Sequence, residues 1–393
     1  MDEPTTVGER IAYWRNRRGL TQEVLAGLVG RSASWMTKVE RGEHMIDRVS
    51  VILALSRVLK VEPGKLIGSI DLPVDGGAPN DPPRGIPALR HALLGVPDRE
   101  PPTATELRAD VDQVALLRTN GSCETRSVVL PSLLVAGRAA ADHEIAGAWE
   151  CLARLYHMAS GLCRRVGDLD LALLAADRGV TAAQRSGDTL MLGSARRLLA
   201  FAMMREGWLD DTGRVCSDAA DALAPNEDTS LEGWSVWGSL LLTEAVAAAR
   251  KDDLAAARRA LRDARAAGDR VGPGRNDYSE CFGPANVGAH EVAIALESGD
   301  AVEALRVADR TNVDELPMAG RRADVLIDVA HAHGLRQDDA AVVGALLEAE
   351  YHAPEMVRYS GKARELVISC LRRERKSRTP GLRRLAERVG VAD

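Results

Sequence analysis

Residues 19–42 read Gly19-Leu20-Thr21-Gln22-Glu23-Val24-Leu25-Ala26-Gly27-Leu28-Val29-Gly30-Arg31-Ser32-Ala33-Ser34-Trp35-Met36-Thr37-Lys38-Val39-Glu40-Arg41-Gly42. Small residues and hydroxyls punctuate this stretch at helix ends. Gly19 is placed to end a first helix whose Val7, Ile11 and Trp14 share one face. Thr21 can N-cap a second helix with Leu25 and Leu28 inward, because a hydroxyl there accepts from an unpaired backbone N–H. Gly30 supplies a tight turn, and Ser32 can N-cap a third helix that runs to Arg41 with Met36 and Val39 inward. The pattern predicts a fourth helix over about 48–60, with Ile52, Leu55 and Leu59 inward, and a short fifth over about 63–68.

The chain has 393 residues, enough for two or more domains. Aromatic residues make up only 3%, while alanine and leucine are plentiful, so the expected fold class is all-α. Net charge is −6, but residues 1–68 carry 11 Lys or Arg against 8 Asp or Glu. A basic head on an acidic body is compatible with DNA, since the local face decides binding. Six cysteines at 123, 151, 163, 216, 281 and 370 form no C-x-x-C pair and read as buried free thiols of a cytoplasmic protein. The N-terminus lacks a signal-peptide apolar run, and no stretch reaches the roughly 18 apolar residues that span a bilayer.

Residues 69–102 hold 8 of the 17 prolines and read as a linker, with one possible short docking helix over Ile86–Leu94. From 103 to about 388, helical periods alternate with breaks at Gly167-Asp168-Leu169, Gly207-Trp208-Leu209, Asp252-Asp253-Leu254, Gly299-Asp300-Ala301 and Asp338-Asp339-Ala340. Their spacing of roughly 40–47 residues marks a helix–turn–helix repeat, the signature of an α-solenoid. The expected domains are therefore 1–68, a linker over 69–102, and a repeat domain over 103–393.

The combination of residues in 19–42 resembles the Xre/Cro-type helix-turn-helix family of bacterial and phage repressors. That resemblance implies a five-helix DNA-binding head. By position, Gln22 should hydrogen-bond a phosphate, and helix 32–41 should lie in the major groove. Ser34 and Lys38, one turn apart, should reach base edges, Lys38 toward guanine O6 or N7, and Ala33 a thymine methyl. Thr37 serves either base or phosphate. Trp35 either packs on the sugar-phosphate wall or fills the helix interface, and Arg31, Arg17 and Arg18 are phosphate contacts or a solvated basic face. Arg15 is placed to pair with Glu40, as in relatives.

The third repeat unit, Trp234-x-x-Trp237-Gly238-x-x-Leu241 followed by Leu254-x-x-Ala257-x-x-x-Leu261-x-x-Ala264, resembles the tetratricopeptide pattern. The whole arrangement resembles actinobacterial Xre-type regulators and the peptide-responsive quorum-sensing regulators of Gram-positive bacteria. The resemblance implies a solenoid surface that binds a signal peptide or small molecule. Pro284 suits a first helical turn, after which Asn286, His290 and Glu297 fall on one stripe. That stripe either clamps a ligand, Asn donating and accepting together, or caps neighbouring helices and meets solvent. Trp234 and Trp237 are either a ligand platform or core. The basic tail Arg372, Arg373, Arg375, Lys376 and Arg378 caps the solenoid, contacts DNA or is solvated. His331 and His333 point apart on a helix and cannot chelate together, so no metal, cofactor or catalytic constellation is expected. The expectation is a homodimeric regulator on an inverted-repeat DNA operator. The alternative is a protein-interaction adaptor built on the solenoid, with the head auxiliary.

Overall fold

The computed structural model describes residues 7–44, positions 46, 51, 54, 55, 58, 59, 61 and 66, and residues 82–96, 99–119, 123–374 and 379–391. Every regular element among them is helical. The head contains α1 (Val7–Arg17), α2 (Gln22–Leu28) and α3 (Ala33–Glu40). Both expected caps form: the Thr21 hydroxyl accepts from Val24 N at 3.2 Å and the Ser32 hydroxyl from Trp35 N at 3.1 Å. Ile11, Leu25, Met36 and Val39 bury together with Leu55, Leu59 and Leu66. The helices expected over about 48–60 and 63–68, Ile52 included, otherwise lie outside the described residues, as do 69–81 and the tail residues 375–378.

Helix α4 (Ile86–Leu94) packs on α6 (Cys123–Asp142), with α5 (Ala104–Thr119) beside it. Gly85 lies so close to α6 that a Cβ would stand 1.9 Å from the Ser127 carbonyl oxygen, which only glycine permits. Ile86, Leu89 and Leu93 join the core of the repeats. The second half of the proline-rich stretch is thus built into the body.

Five helical hairpins follow: α7 (Ala148–Arg165) with α8 (Leu169–Ser186), α9 (Thr189–Glu206) with α10 (Leu209–Ala222), α11 (Leu231–Arg250) with α12 (Leu254–Val271), α13 (Pro284–Glu297) with α14 (Ala301–Arg310), and α15 (Ala319–Leu335) with α16 (Asp339–His352). Their turns share one construction. A left-handed residue follows each first helix within two positions: Gly167, Gly207, Asp252, Gly299 and Gln337. The next backbone N–H then donates back to a carbonyl five residues earlier, for example Asp168 N to Cys163 O at 2.9 Å and Asp253 N to Ala248 O at 3.0 Å. This closes the first helix in a Schellman turn. In four hairpins that residue is an aspartate, Asp168, Asp253, Asp300 or Asp338, whose carboxylate caps the second helix. The second hairpin has the exposed Trp208 there and no side-chain cap.

The row of hairpins closes on itself. Helices α17 (Pro354–Arg358), α18 (Gly361–Arg372) and α19 (Leu382–Arg388) end the chain. One apolar core holds Leu107, Leu130 and Leu155 from the beginning of the body and Leu326, Leu346 and Leu366 from its end. Arg165 on α7 pairs with Asp324 on α15 at 2.6 Å, and Tyr359 donates to Glu124 at 3.1 Å. Burial alone would raise the Asp324 carboxyl; the guanidinium groups of Arg165, Arg321 and Arg164 outweigh it and hold the group below its ordinary value. All six cysteines are buried free thiols. Burial pushes Cys163 and Cys370 up to about 12. Among the described residues, no helix is long and apolar enough to cross a membrane.

Candidate functional site

Within the head, α3 presents Ala33 and Ser34 to solvent, while Met36 and Val39 anchor it from behind. A polar network fixes its tilt. Arg15 on α1 clamps Glu40 with two bonds, 2.5 and 2.9 Å, and the pairing with Glu40 raises the guanidinium above its ordinary value. Gln22 donates to the same carboxylate at 2.7 Å and accepts from the Thr37 hydroxyl at 2.8 Å. Gln22 and Thr37, expected at phosphate or base, are therefore engaged inside the head in this conformation. Trp35 is half-buried against the head core and carries Arg31 over its ring at 5.4 Å. That places Trp35 at the helix interface. Lys38 points at the repeat body, with only 19% of its side chain exposed.

The body holds a hollow of about 290 Å³ lined by α7, α8, α9 and the segment between α12 and α13. Arg154, Glu150 and Asp188 supply its charged wall, with His157 beside them, and Met158, Met191 and Leu198 part of its apolar wall. A second hollow of about 270 Å³ shares Arg154, Tyr278 and Ser279 with it and extends to Asn276 and Met318. Together they make a groove with a mixed polar and apolar lining, the composition of a site that orients an organic ligand.

The segment Gly272–Gly283 closes one side of this groove. Tyr278, Ser279 and Cys281 hold φ of 47°, 65° and 53°, a left-handed region that costs roughly 1–3 kcal/mol per non-glycine residue. The surroundings over-determine it. Tyr278 donates to Asp188 at 2.9 Å, and burial pushes its hydroxyl well above its ordinary range. Ser235 donates to Asp277 at 2.8 Å, and Arg275 bridges Asp277 and Glu232. Glu280 is fully enclosed, accepts from Ser194 at 2.5 Å and pairs with Arg197. Phe282 is buried against Gly238, where a Cβ would meet the ring at 2.0 Å.

Asn286 and His290 lie beneath this segment and line neither hollow. Asn286 is 3% exposed; its amide donates to the Glu280 carbonyl at 3.3 Å and accepts from Arg321 at 2.8 Å. His290 Nδ1 stands 2.8 Å from the Asn286 carbonyl and 3.2 Å from Arg321. Burial and then the Arg321 charge pull His290 down to about 3, so the ring is neutral. The Asn286 side chain thus ties the groove-lining segment to α13, while His290 meets its own helix and Arg321. Glu297, the third member of the stripe, pairs with Arg250 at 2.8 Å. Trp234 and Trp237 are half-buried in the second core, edge to face at 5.6 Å, with Arg270 stacked over Trp234. Tyr278 and Arg154 were missed from sequence; the left-handed backbone that aims Tyr278 inward leaves no periodic signal. Among the described residues no cluster of three or more His, Cys, Asp or Glu could hold a metal.

The head defines a class: residues 6–67 match the family model described as helix-turn-helix domain. Among curated proteins, none matches the chain. Among solved structures the chain is similar to Bacillus thuringiensis PlcR, determined in complex with the peptide PapR7 and DNA, at 13% identity and a TM-score of 0.36 over 84% of this chain and 98% of that one.

Proposed function

We propose that the chain is a sequence-specific, DNA-binding transcription regulator of Xre type whose helical-repeat body senses a short peptide or small molecule. The observation that carries this reading is a helix-turn-helix whose third helix, clamped by Arg15, Glu40 and Gln22, presents Ala33, Ser34 and Lys38 along one face. Insertion of that face in the major groove gives Lys38 and Ser34 base edges to read. Arg31 then supplies a backbone contact that sets register, while Gln22 holds Glu40 and Thr37 in place. One such head buries little surface, so two heads of a homodimer on an inverted repeat give useful affinity.

The ligand site of this reading is the groove at Arg154, His157 and Tyr278. Its lining of charged groups and methionines suits a peptide, which brings backbone polar groups and an apolar side chain together. Asn286 acts here through the segment it supports, and His290 through Arg321, which both side chains share. A ligand regulates DNA binding only by preferring one arrangement of head and body.

The test is genome-wide mapping of bound fragments, followed by titration of the recovered sites. Lys38→Ala should cost about 1–3 kcal/mol on the recovered site and relax preference at one base pair, with little change on random DNA. Arg154→Ala and Tyr278→Phe should leave binding intact but remove its response to a fractionated peptide extract. Equal losses on both DNAs for the lysine variant would refute its role as base reader. An unaltered response in the groove variants would refute the groove as the ligand site, and no response in any chain, wild type included, would favour the adaptor reading of the body.

A further inference from the structure

We propose that the repeat body masks the recognition helix, with Asp252 standing in for a DNA phosphate. This rests on the DNA-binding reading above. The Ser32 hydroxyl donates to the Asp252 carboxylate at 2.5 Å, and Lys38 Nζ stands 3.9 Å from the same carboxylate and 3.5 Å from the Glu297 carbonyl oxygen. The stem of Lys38 and the carboxylate of Glu43 both come close to Gly299. Two consecutive hairpin turns, α11–α12 and α13–α14, thus hold the start and the base-reading side of α3. A hydroxyl and an ammonium meeting one carboxylate oxygen pair is the arrangement both groups would make with a phosphate oxygen. Lys38 cannot reach a base while it lies there.

The turn itself does not need that carboxylate. Asp252 occupies the left-handed position that is glycine in the first, second and fourth hairpins, and its φ is 63°. Glycine takes this conformation without the Cβ penalty that aspartate meets. The cap of α12 comes from Asp253, whose carboxylate accepts from Ala256 N at 2.9 Å, and Lys251 pairs with Asp210. What the Asp252 side chain does touch is the head. The masking contact is small and partly exposed, so it is weak enough to open.

The same two elements reach the groove. Helix α11 ends beside Asp252 and carries Glu232 and Ser235, which hold Arg275 and Asp277, near its beginning. Helix α13 ends at Glu297 and begins with Asn286, which holds the Glu280 carbonyl. A ligand that shifts the 272–283 segment pulls on the far ends of the two helices that grip the head. Release of the mask is then the step that ligand binding controls.

The test uses the full chain, Asp252→Gly, Asp252→Asn and, as control, Gln337→Gly at the equivalent turn of the last hairpin. Two quantities are read: the acetylation rate of the Lys38 amine by mass spectrometry, and affinity for a random-sequence duplex pool at fixed salt. Both Asp252 variants should acetylate Lys38 several times faster and bind the pool roughly 2–5-fold tighter, with thermal stability kept or raised by the glycine. The control should match wild type in both. An unchanged Lys38 rate overturns the docked contact. A faster rate with unchanged DNA affinity overturns the mask while leaving DNA binding by the head intact. A faster rate with no DNA binding by any chain overturns both the mask and the DNA-binding reading beneath it.

Discussion

Glu280 is the keystone of the groove wall, and its removal has a magnitude that the structure sets. Its side chain is fully enclosed and Arg197 is 15% exposed, so the pair sits where water screens little. Removing one partner of such a pair leaves a buried charge unanswered and costs about 3–5 kcal/mol. Arg197→Met strands the carboxylate and should fall at the upper end. Glu280→Gln keeps an acceptor for Ser194 and strands the more accessible guanidinium, so it should fall at the lower end. For a body of this size, each kcal/mol moves the midpoint by about 2 °C, which predicts a loss of roughly 6–10 °C. The double variant Arg197→Met with Glu280→Leu replaces the pair by apolar groups and should regain most of the loss. Urea unfolding followed by circular dichroism measures all three. Single variants within about 1 kcal/mol of wild type, or a double variant as poor as the sum of the singles, would refute the keystone role.

His331 is buried, and burial followed by the Lys362 charge pulls it down to about 3, with Glu297 acting in the opposite direction. The unfolded chain takes up the proton near pH 6.5, so stability should fall as pH drops below that value; His331 accounts for about 1.4 kcal/mol of the loss at pH 5.5 and His290, pulled down to about 3 as well, for a like amount, so His331→Leu should remove roughly half of it in parallel urea titrations. Limited proteolysis should yield a body fragment that keeps residues 82–96, because α4 is packed into the core; a stable fragment beginning near 103 would contradict that packing.

The repeat order was legible because each hairpin turn announces itself chemically. A left-handed residue followed by an aspartate cap is a local device, so Gly167-Asp168 or Gly299-Asp300 marks its position without knowledge of the rest. The Arg15–Glu40 clamp was legible for a related reason, through the spacing of the helix-turn-helix. Closure of the body was not legible. Arg165 and Asp324 are 159 residues apart, and nothing in their neighbourhoods records the other. The stripe Asn286, His290, Glu297 was visible as a face, but periodicity does not say what covers a face. Arg321, from a helix further along, covers the first two. Likewise, Lys38 read as a DNA contact and Ser32 as a helix cap alone, because Asp252, which meets both, lies 220 residues from Ser32.

The burial of every cysteine has a practical side. Thiolate is the reactive form, and thiols enclosed and pushed upward like Cys163 and Cys370 hold almost none of it at neutral pH. A dye-reactive cysteine can therefore be placed at exposed Ser34 on the head and another at exposed Arg258 on the body without first stripping the native ones. The wild-type interior stays unlabelled by thiol-reactive dyes. Energy transfer between the two dyes would follow the head leaving the body one molecule at a time, in the unaltered core.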